Sequence, residues 1–132
     1  MLKIEHIGIA VNDLDAANDL YKKLLGTEHY KEEVVEIEGV TTSFFKVGDS
    51  KIELLKATTA NSPIAKFIEN KGEGMHHIAF EVEDIYAEME RLKEQGFVMT
   101  KDTPSKGADN KLVCFVHPKS ANGVLIELCQ EI

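Results

Sequence analysis

Two nearly matching stretches decide the fold of this chain: HIGIAVNDL at residues 6–14 and HIAFEVEDI at residues 77–85. Each alternates branched apolar residues with other types, which predicts a β-strand, and in each the next-to-last residue is an Asp placed to cap a helix. A second match relates KIELL at residues 51–55 to LIELC at residues 125–129. The chain is therefore expected to contain two copies of one supersecondary unit, neither of which can bury its sheet alone.

The first repeat predicts the element order βαβββ. A strand at residues 3–11 is followed by Asp13 as a helix cap and by a run of apolar residues at helical spacing, which Gly26 ends. That run consists of Leu14, Ala17, Leu20, Tyr21, Leu24 and Leu25. Three further strands are then predicted at about 28–37, 40–47 and 51–57.

The second repeat predicts the same order. Asp84 caps a helix that Gly96 ends, and Ser62 with Pro63 begins a short connecting helix between the repeats. The strands of this half are expected at 75–82, near 97–101, at 111–117 and at 123–130. The sequence thus predicts an α+β fold in one domain, residues 1–132, with one βαβββ module at about 1–58, the connecting helix at about 62–71 and a second module at about 74–132.

Composition and charge narrow the function. A chain of 132 residues with 43% hydrophobic and 29% charged residues is expected to form one globular core. A net charge of −8 disfavours nucleic acid as a partner. The charged N-terminal segment and the lack of a long apolar run predict a cytoplasmic protein that neither carries a signal peptide nor spans a membrane. Cys114 and Cys129 lie in apolar strands and are expected to be buried free thiols of a reducing compartment.

Superposition of the repeats aligns one His and one Glu in each half. His6 and Glu53 are 47 residues apart, and His77 and Glu127 are 50 apart. Each His lies on the first strand of its module and each Glu on the last, so a pseudo-two-fold axis would bring all four together. Two imidazoles and two carboxylates suit Zn²⁺, Co²⁺, Ni²⁺, Mn²⁺ or Fe²⁺, and the two negative charges balance a divalent ion. One such ion per chain is expected.

Each of these residues also has an ordinary structural interpretation. A single His on a strand is usually packed or solvated, and a Glu in an alternating strand can face solvent. The pairing across the repeat favours metal ligands. His76 faces away from His77 by strand alternation, and alignment with His6 selects His77. His29 is expected in solvent, while His117 either lines the mouth of the site or has a structural role. The core is expected to contain Phe44, Phe45, Phe67 and Phe115.

The duplicated unit with its four candidate ligands resembles the vicinal oxygen chelate superfamily over essentially the whole chain. Within that superfamily, GEGMHHIAFEVEDI at 72–85, SPIAKFIENK at 62–71 and HPKSANGVLIEL at 117–128 resemble the methylmalonyl-CoA epimerases. The resemblance implies a cupped mixed β-sheet around the metal. It also implies Co²⁺, or another divalent transition ion such as Zn²⁺, Ni²⁺ or Mn²⁺, as the metal.

The resemblance further implies a reaction: interconversion of (R)- and (S)-methylmalonyl-CoA through removal and return of the proton at C2. A metal ion would stabilise the enolate-like intermediate. Glu127 is the first candidate for the proton-transferring base and Glu53 the second, one on each face of the intermediate. Some members of the family use an acid on the strand before the second ligand, where this chain reads GVTTSFF at 39–45 and has none. The identity of the second base is therefore open.

Contacts to the CoA portion of the substrate are expected from Lys119 and Ser120 in the turn HPKSANG and from Lys106 in PSKGA. These lysines have an equally good interpretation as solvated loop residues. A homodimer is expected because the first strand of each module leaves an edge to be covered.

Two other functions stay open at this point. Glyoxalase I has a very similar metal set, although HPKSANG is not the acidic turn associated with that enzyme. A non-catalytic module that binds a small molecule is the second alternative, and the presence of all four candidate ligands argues against it.

Overall fold

Both repeats fold as βαβββ modules in the computed structural model, which describes residues 1–132. The strands are β1 Lys3–Ala10, β2 Lys31–Val35, β3 Val40–Val47, β4 Ser50–Ala57, β5 Gly74–Glu81, β6 Ser105–Lys106, β7 Lys111–Val116 and β8 Ile126–Glu131. The helices are α1 Leu14–Leu25, α2 Pro63–Lys71 and α3 Ile85–Glu94. The predicted α+β fold is confirmed. None of the three helices is long and apolar enough to span a membrane.

Side-chain caps begin each of the helices, as the sequence predicts. The carboxylates of Asp13 and Asp84 each accept a hydrogen bond from the backbone N–H three residues later, at 3.1 Å. The hydroxyl of Ser62 does the same for α2, also at 3.1 Å. Gly26 ends α1 with a φ of 73°, a left-handed conformation that glycine adopts without strain. The repeat therefore extends to the local interactions that fix where α1 and α3 begin.

The chain packs as two compact units with the same strand topology. The first unit contains residues 6–76, and the second contains residues 1–5 and 77–132. In the first unit the strand order is β2-β3-β4-β1, with β1 parallel to β4 and the other pairs antiparallel. In the second unit the order is β5-β8-β7-β6, with β5 parallel to β8. Each module thus pairs its first strand with its last, which is where the candidate ligands lie.

A helix covers one face of each sheet. Helix α1 packs in a buried cluster made of Val11, Leu14, Ala17, Phe45 and Leu54. Helix α3 packs in a second cluster made of Val82, Ile85, Met89, Leu92, Cys114, Val116 and Leu128. Since side chains alternate along a strand, the residues beside Leu54 and Leu128 point to the opposite face. Glu53 and Glu127 are those residues.

The strand predicted near 97–101 is wrong. Only Met99 forms a bridge, to Val116, and the outer strand of this half is the two-residue β6. The ladder with β7 stops after Thr100, where the polar segment KDTP follows. Pro104 has no N–H to donate to a ladder, so this segment cannot extend the strand.

Helix α1 packs Leu14, Ala17, Tyr21 and Leu25 in its cluster as the apolar spacing predicts, but two other leucines of the run are exposed. Leu20 and Leu24 are 61% and 69% exposed, whereas Asn18 is buried. The Asn18 side chain accepts a hydrogen bond from the Ser43 hydroxyl at 2.6 Å and donates one to Glu32 at 3.0 Å. These two bonds satisfy the buried amide, which is otherwise costly to remove from water.

The environment of His29 also differs from the prediction. This residue is half-buried, with its ring 5.8 Å from the ring of Phe45 and its Nε2 3.3 Å from the Glu32 carboxylate. The residue therefore packs on the end of the α1 cluster, where a solvent position was expected.

Both cysteines are free and buried, as expected. Burial raises the pKa of the Cys114 thiol to about 12, and the nearby charge of Glu127 adds to this effect. Burial also raises the pKa of Cys129 far above its ordinary value. Because the thiolate is the reactive form, neither side chain is a nucleophile near neutral pH.

We expect the native protein to react with a thiol reagent at pH 8 at least about 100-fold more slowly than the denatured protein. Both thiols should react once the chain is unfolded in guanidinium chloride. The measurement is the time course of absorbance with a disulfide reagent under native and denaturing conditions. Rapid titration of a full equivalent in the native state would contradict the burial described above.

Candidate metal centre

The first His/Glu pair lies within the first unit. His6 is on β1 and Glu53 on β4, and both residues are 4% exposed. The Nδ1 atom of His6 is 3.1 Å from a carboxylate oxygen of Glu53. Two groups that titrate in water are therefore held against each other in a buried position.

The second pair repeats this arrangement in the second unit. His77 is on β5 and Glu127 on β8, and they are 5% and 6% exposed. The Nε2 atom of His77 is 3.3 Å from a carboxylate oxygen of Glu127. The two pairs differ in which ring nitrogen faces the carboxylate.

Strand register explains why each His meets its Glu. Gly8 is the parallel partner of Glu53, and Ala79 is the parallel partner of Glu127. Each of these small residues follows its histidine by two positions, so it shares a face with that histidine. The register is therefore the same in both modules although the sequence spacings differ by three residues. Gly8 and Ala79 also place little bulk opposite the carboxylates.

A phenylalanine lies across from each glutamate on the antiparallel side. Phe44 is the partner of Glu53 and is fully buried. Phe115 is the partner of Glu127 and stands edge-on to His77, with ring centroids 6.0 Å apart and an interplanar angle of 90°. The prediction that Phe115 belongs to the core is wrong, because it is half-buried on the face of the pair. Phe115 follows Cys114 on one strand and so points to the opposite face, which the sequence pattern could have indicated.

His76 makes a different contact from its neighbour. Its ring stands edge-on to that of Phe67 at 5.0 Å, within the first unit. Phe67 is half-buried and so contributes less to the core than expected. Strand alternation therefore separates the surroundings of His76 from those of His77, in agreement with the sequence interpretation.

The two pairs fit a divalent transition ion. Imidazole nitrogen and carboxylate oxygen bind such ions at about 2.0–2.2 Å, so two ligands on one ion lie about 3.0–3.5 Å apart. The separations of 3.1 and 3.3 Å fall in this interval. A hydrogen-bonded ion pair would give similar distances, but the cost of removing both charges from water can exceed the attraction between them.

The segment GVTTSFF presents a hydroxyl to the face that carries Glu53. Thr42 is 1% exposed and lies two residues from Phe44, the partner of Glu53, so both point to that face. Ser43 points to the other face, where it bonds to Asn18. Glu33 on β2 is the cross-strand partner of Thr42. The segment itself has no acid, but the carboxylate of Glu33 lies on the neighbouring strand.

The loops that contain the candidate CoA contacts differ in exposure. Lys106 and Lys119 are exposed, whereas Ser120 is half-buried. The Ser120 hydroxyl donates to the His117 carbonyl at 2.9 Å and accepts from the Val98 N–H at 3.3 Å. Ser120 thus stabilises the turn, and its role in CoA binding stays a prediction.

Comparison with known proteins places this chain in a family. Residues 5–115 match the model of the Glyoxalase/Bleomycin resistance protein/Dioxygenase superfamily. The chain belongs to this superfamily. The matched residues include His6, Glu53 and His77.

The similarity to individual proteins is more specific than the superfamily match. An ethylmalonyl-CoA/methylmalonyl-CoA epimerase from Cereibacter sphaeroides is 45% identical, over 97% of each chain. A structure of the Streptomyces coelicolor methylmalonyl-CoA epimerase in complex with 2-nitronate-propionyl-CoA has a TM-score of 0.95 and 36% identity, and covers 99% of this chain and 95% of that one. A probable lactoylglutathione lyase from Vibrio cholerae is 30% identical, over 97% of this chain and 90% of its own length.

Replacement of His77 by Ala is predicted to lower the affinity for a divalent transition ion at least about 10-fold, since it removes one imidazole ligand. The matched control is His76→Ala, which removes the neighbouring imidazole that packs on Phe67. Competition with a chromophoric chelator measures both affinities. Full retention of metal by His77→Ala, or equal losses in the two variants, would show that this ligand assignment is wrong.

Proposed function

We propose that this protein is a metal-dependent epimerase that interconverts (R)- and (S)-methylmalonyl-CoA. The observation that carries the proposal is the similarity to epimerases over nearly the whole chain, at 45% identity in the relative from Cereibacter sphaeroides. The buried His/Glu pair in each repeat supplies side chains suited to that chemistry. The reaction needs no net change of atoms, because the proton removed from C2 is replaced on the opposite face.

The proposed ligands are His6, Glu53, His77 and Glu127, which together would hold one divalent transition ion. Co²⁺ is the first choice, with Zn²⁺, Ni²⁺ and Mn²⁺ as alternatives, since all accept a mixed set of nitrogen and oxygen ligands. The similar distances within the two pairs support this set. When bound, such an ion supplies Lewis-acid stabilisation of negative charge on the thioester oxygen.

The chain itself supplies the proton transfers. Glu127 is proposed to accept the proton at C2 of one epimer, so that the C–H bond breaks and a carboxyl O–H forms. Glu53 is proposed to give a proton to the opposite face, and the two residues exchange roles in the reverse direction. The thiols of Cys114 and Cys129 are unsuited to this work because burial raises their pKa values. Thr42 is unsuited because a hydroxyl is a very weak base at neutral pH.

The CoA portion is proposed to contact Lys119 and Lys106, whose exposed ammonium groups can pair with phosphate. Ser120 is proposed to act in the same loop, where its hydroxyl already joins His117 to Val98. The overall charge of −8 makes such local cations necessary for binding a polyanionic cofactor portion.

The two alternatives have less support. Sequence identity to a probable lactoylglutathione lyase is 30%, compared with 45% for an epimerase. A module that only binds a small molecule would not need two buried His/Glu pairs, whose burial is costly without a bound cation.

A homodimer is also proposed. The predicted reason, an uncovered edge on the first strand of each module, is wrong, because β2 and β6 end the strand order. The exposed edge is β2, whose Val34 is 59% exposed. An outer strand with exposed apolar residues tends to be covered by another chain. Light scattering at high and low concentration is expected to give twice the mass of one chain. A monomer at every concentration would remove this part of the proposal.

Glu127→Gln is predicted to keep much of the metal and to lose epimerase activity by about 10²–10⁴-fold. An amide oxygen can still coordinate a metal ion, but the amide cannot accept the proton from C2. The measurement is the uptake of solvent deuterium at C2 from each pure epimer, with metal content determined on the same samples. If the bases lie on opposite faces, Glu127→Gln and Glu53→Gln should each abolish exchange from a different epimer.

Two outcomes would revise the assignment. Undiminished turnover of both epimers by metal-replete Glu127→Gln would show that the first base lies elsewhere. Retention of both exchanges by Glu53→Gln would move the second role to another carboxylate of that face. Glu33, the cross-strand partner of Thr42, is the one that the register indicates.

A further inference from the structure

His117 lies on the same face of the second sheet as the His77–Glu127 pair. Strand β7 ends at Val116, but its ladder with residues 98–100 continues: Thr100 N–H donates to the Phe115 carbonyl at 2.9 Å, and His117 N–H donates to the Val98 carbonyl at 2.7 Å. Because residues 115 and 117 both bond to this segment, their side chains point to the same face. Phe115 is the partner of Glu127, so His117 follows it along the site.

One hydrogen bond to the ring of His117 indicates its tautomer. Its Nδ1 atom accepts a hydrogen bond from the Lys119 N–H at 3.1 Å. A neutral imidazole that accepts at Nδ1 carries its hydrogen on Nε2 and is a donor there. The outer edge of the half-buried ring thus presents an N–H group.

The turn around His117 also limits its movement. Ser120 closes the turn on the His117 carbonyl, and its hydroxyl accepts from Val98 N–H. Pro118 follows directly and fixes the backbone at the next position. A donor held in this way loses little conformational entropy when a ligand binds.

We propose that the Nε2–H group of His117 binds the free carboxylate of the acyl group, an inference that rests on the proposed epimerase function. His117 is about 6.6 Å along the strand from Phe115, the cross-strand partner of Glu127, so a short acyl group that lies beside Glu127 can extend to it. A hydrogen bond to a carboxylate is charge-assisted and therefore stronger than one to a neutral group. Holding the carboxylate leaves C2 with a defined orientation toward Glu127. His117 would thus select acyl groups that carry a free carboxylate in addition to the thioester.

The variant His117→Asn separates this role from that of a turn cap. An Asn side-chain oxygen can accept from the N–H two residues later, as in an Asx turn, so the cap is retained. The donor at the position of Nε2 is lost. His117→Gln is the complementary variant, because its longer amide can donate near that position. His29→Asn is the control, since His29 packs on Phe45 in the first unit.

The test compares the binding of malonyl-CoA and propionyl-CoA to the metal-loaded protein by calorimetry. The two ligands share CoA and differ in the carboxylate. Wild-type protein and His29→Asn should bind malonyl-CoA more tightly. His117→Asn should lower the affinity for malonyl-CoA about 10-fold and leave that for propionyl-CoA within about twofold. His117→Gln should recover part of the preference.

An unchanged preference in His117→Asn would overturn the proposal, as would an equal loss for both ligands, which indicates a structural role. If His117→Asn does not fold, His117→Gln decides. A weaker preference for malonyl-CoA with an unchanged affinity for propionyl-CoA supports the proposal, and a preference equal to that of the wild-type protein contradicts it. Failure of the epimerase proposal is visible separately. Wild-type protein that binds malonyl-CoA preferentially but never epimerises methylmalonyl-CoA would refute the activity and leave the test of His117 intact.

Discussion

The structure depends on the burial of two carboxylates, each against an imidazole. A buried ionised carboxylate is strongly unfavourable unless charge and hydrogen bonds compensate for the lost water. Glu53 and Glu127 are 4% and 6% exposed, and each lies within 3.3 Å of a histidine nitrogen. A neutral imidazole offers one hydrogen bond, whereas a shared divalent cation would offset both negative charges. The proposed metal binding would account for the presence of this arrangement in both repeats.

The rest of each module holds that pair in place. Parallel pairing of the first strand with the last sets His and Glu on one face, while a capped helix buries the other face. Glycine or alanine opposite the carboxylate limits steric crowding, and phenylalanine on the antiparallel side shields it. The apolar clusters that contain the helices thus lie on one face of each sheet, and the His/Glu pairs lie on the other. This division lets the site carry charge without weakening the apolar clusters.

Much of this arrangement could be predicted from the sequence because the same residue pattern occurs in both repeats. Asp13 and Asp84 mark equivalent helix starts, and the alignment of His6 with His77 selects one of two adjacent histidines. The register could not be predicted, since loops of different length separate His from Glu in the two halves. Single-copy features were also missed. Asn18 replaces a leucine on the buried face of α1 through hydrogen bonds to residues far along the chain, and propensity does not report such contacts.

The same reasoning explains why the second base is harder to assign than the first. Glu127 is selected by both the repeat and its strand register, and no other acid competes with it in the turn before β8. On the face of the first unit, Glu53 and Glu33 are both carboxylates, with Thr42 between their strands. A sequence pattern finds acids along one strand but not across neighbouring strands. Only the strand register shows that Glu33 lies beside Thr42 on the face of Glu53.

The most direct test of the central claim is the number of ions that the two pairs bind. Metal-free protein titrated with Co²⁺, with visible absorption and elemental analysis as readouts, is predicted to saturate at one ion per chain. That result requires the two His/Glu pairs to act together. Saturation at two ions with equal affinity would contradict the account, because each pair would then be a separate site, and the absence of tight binding would show that the pairs are structural.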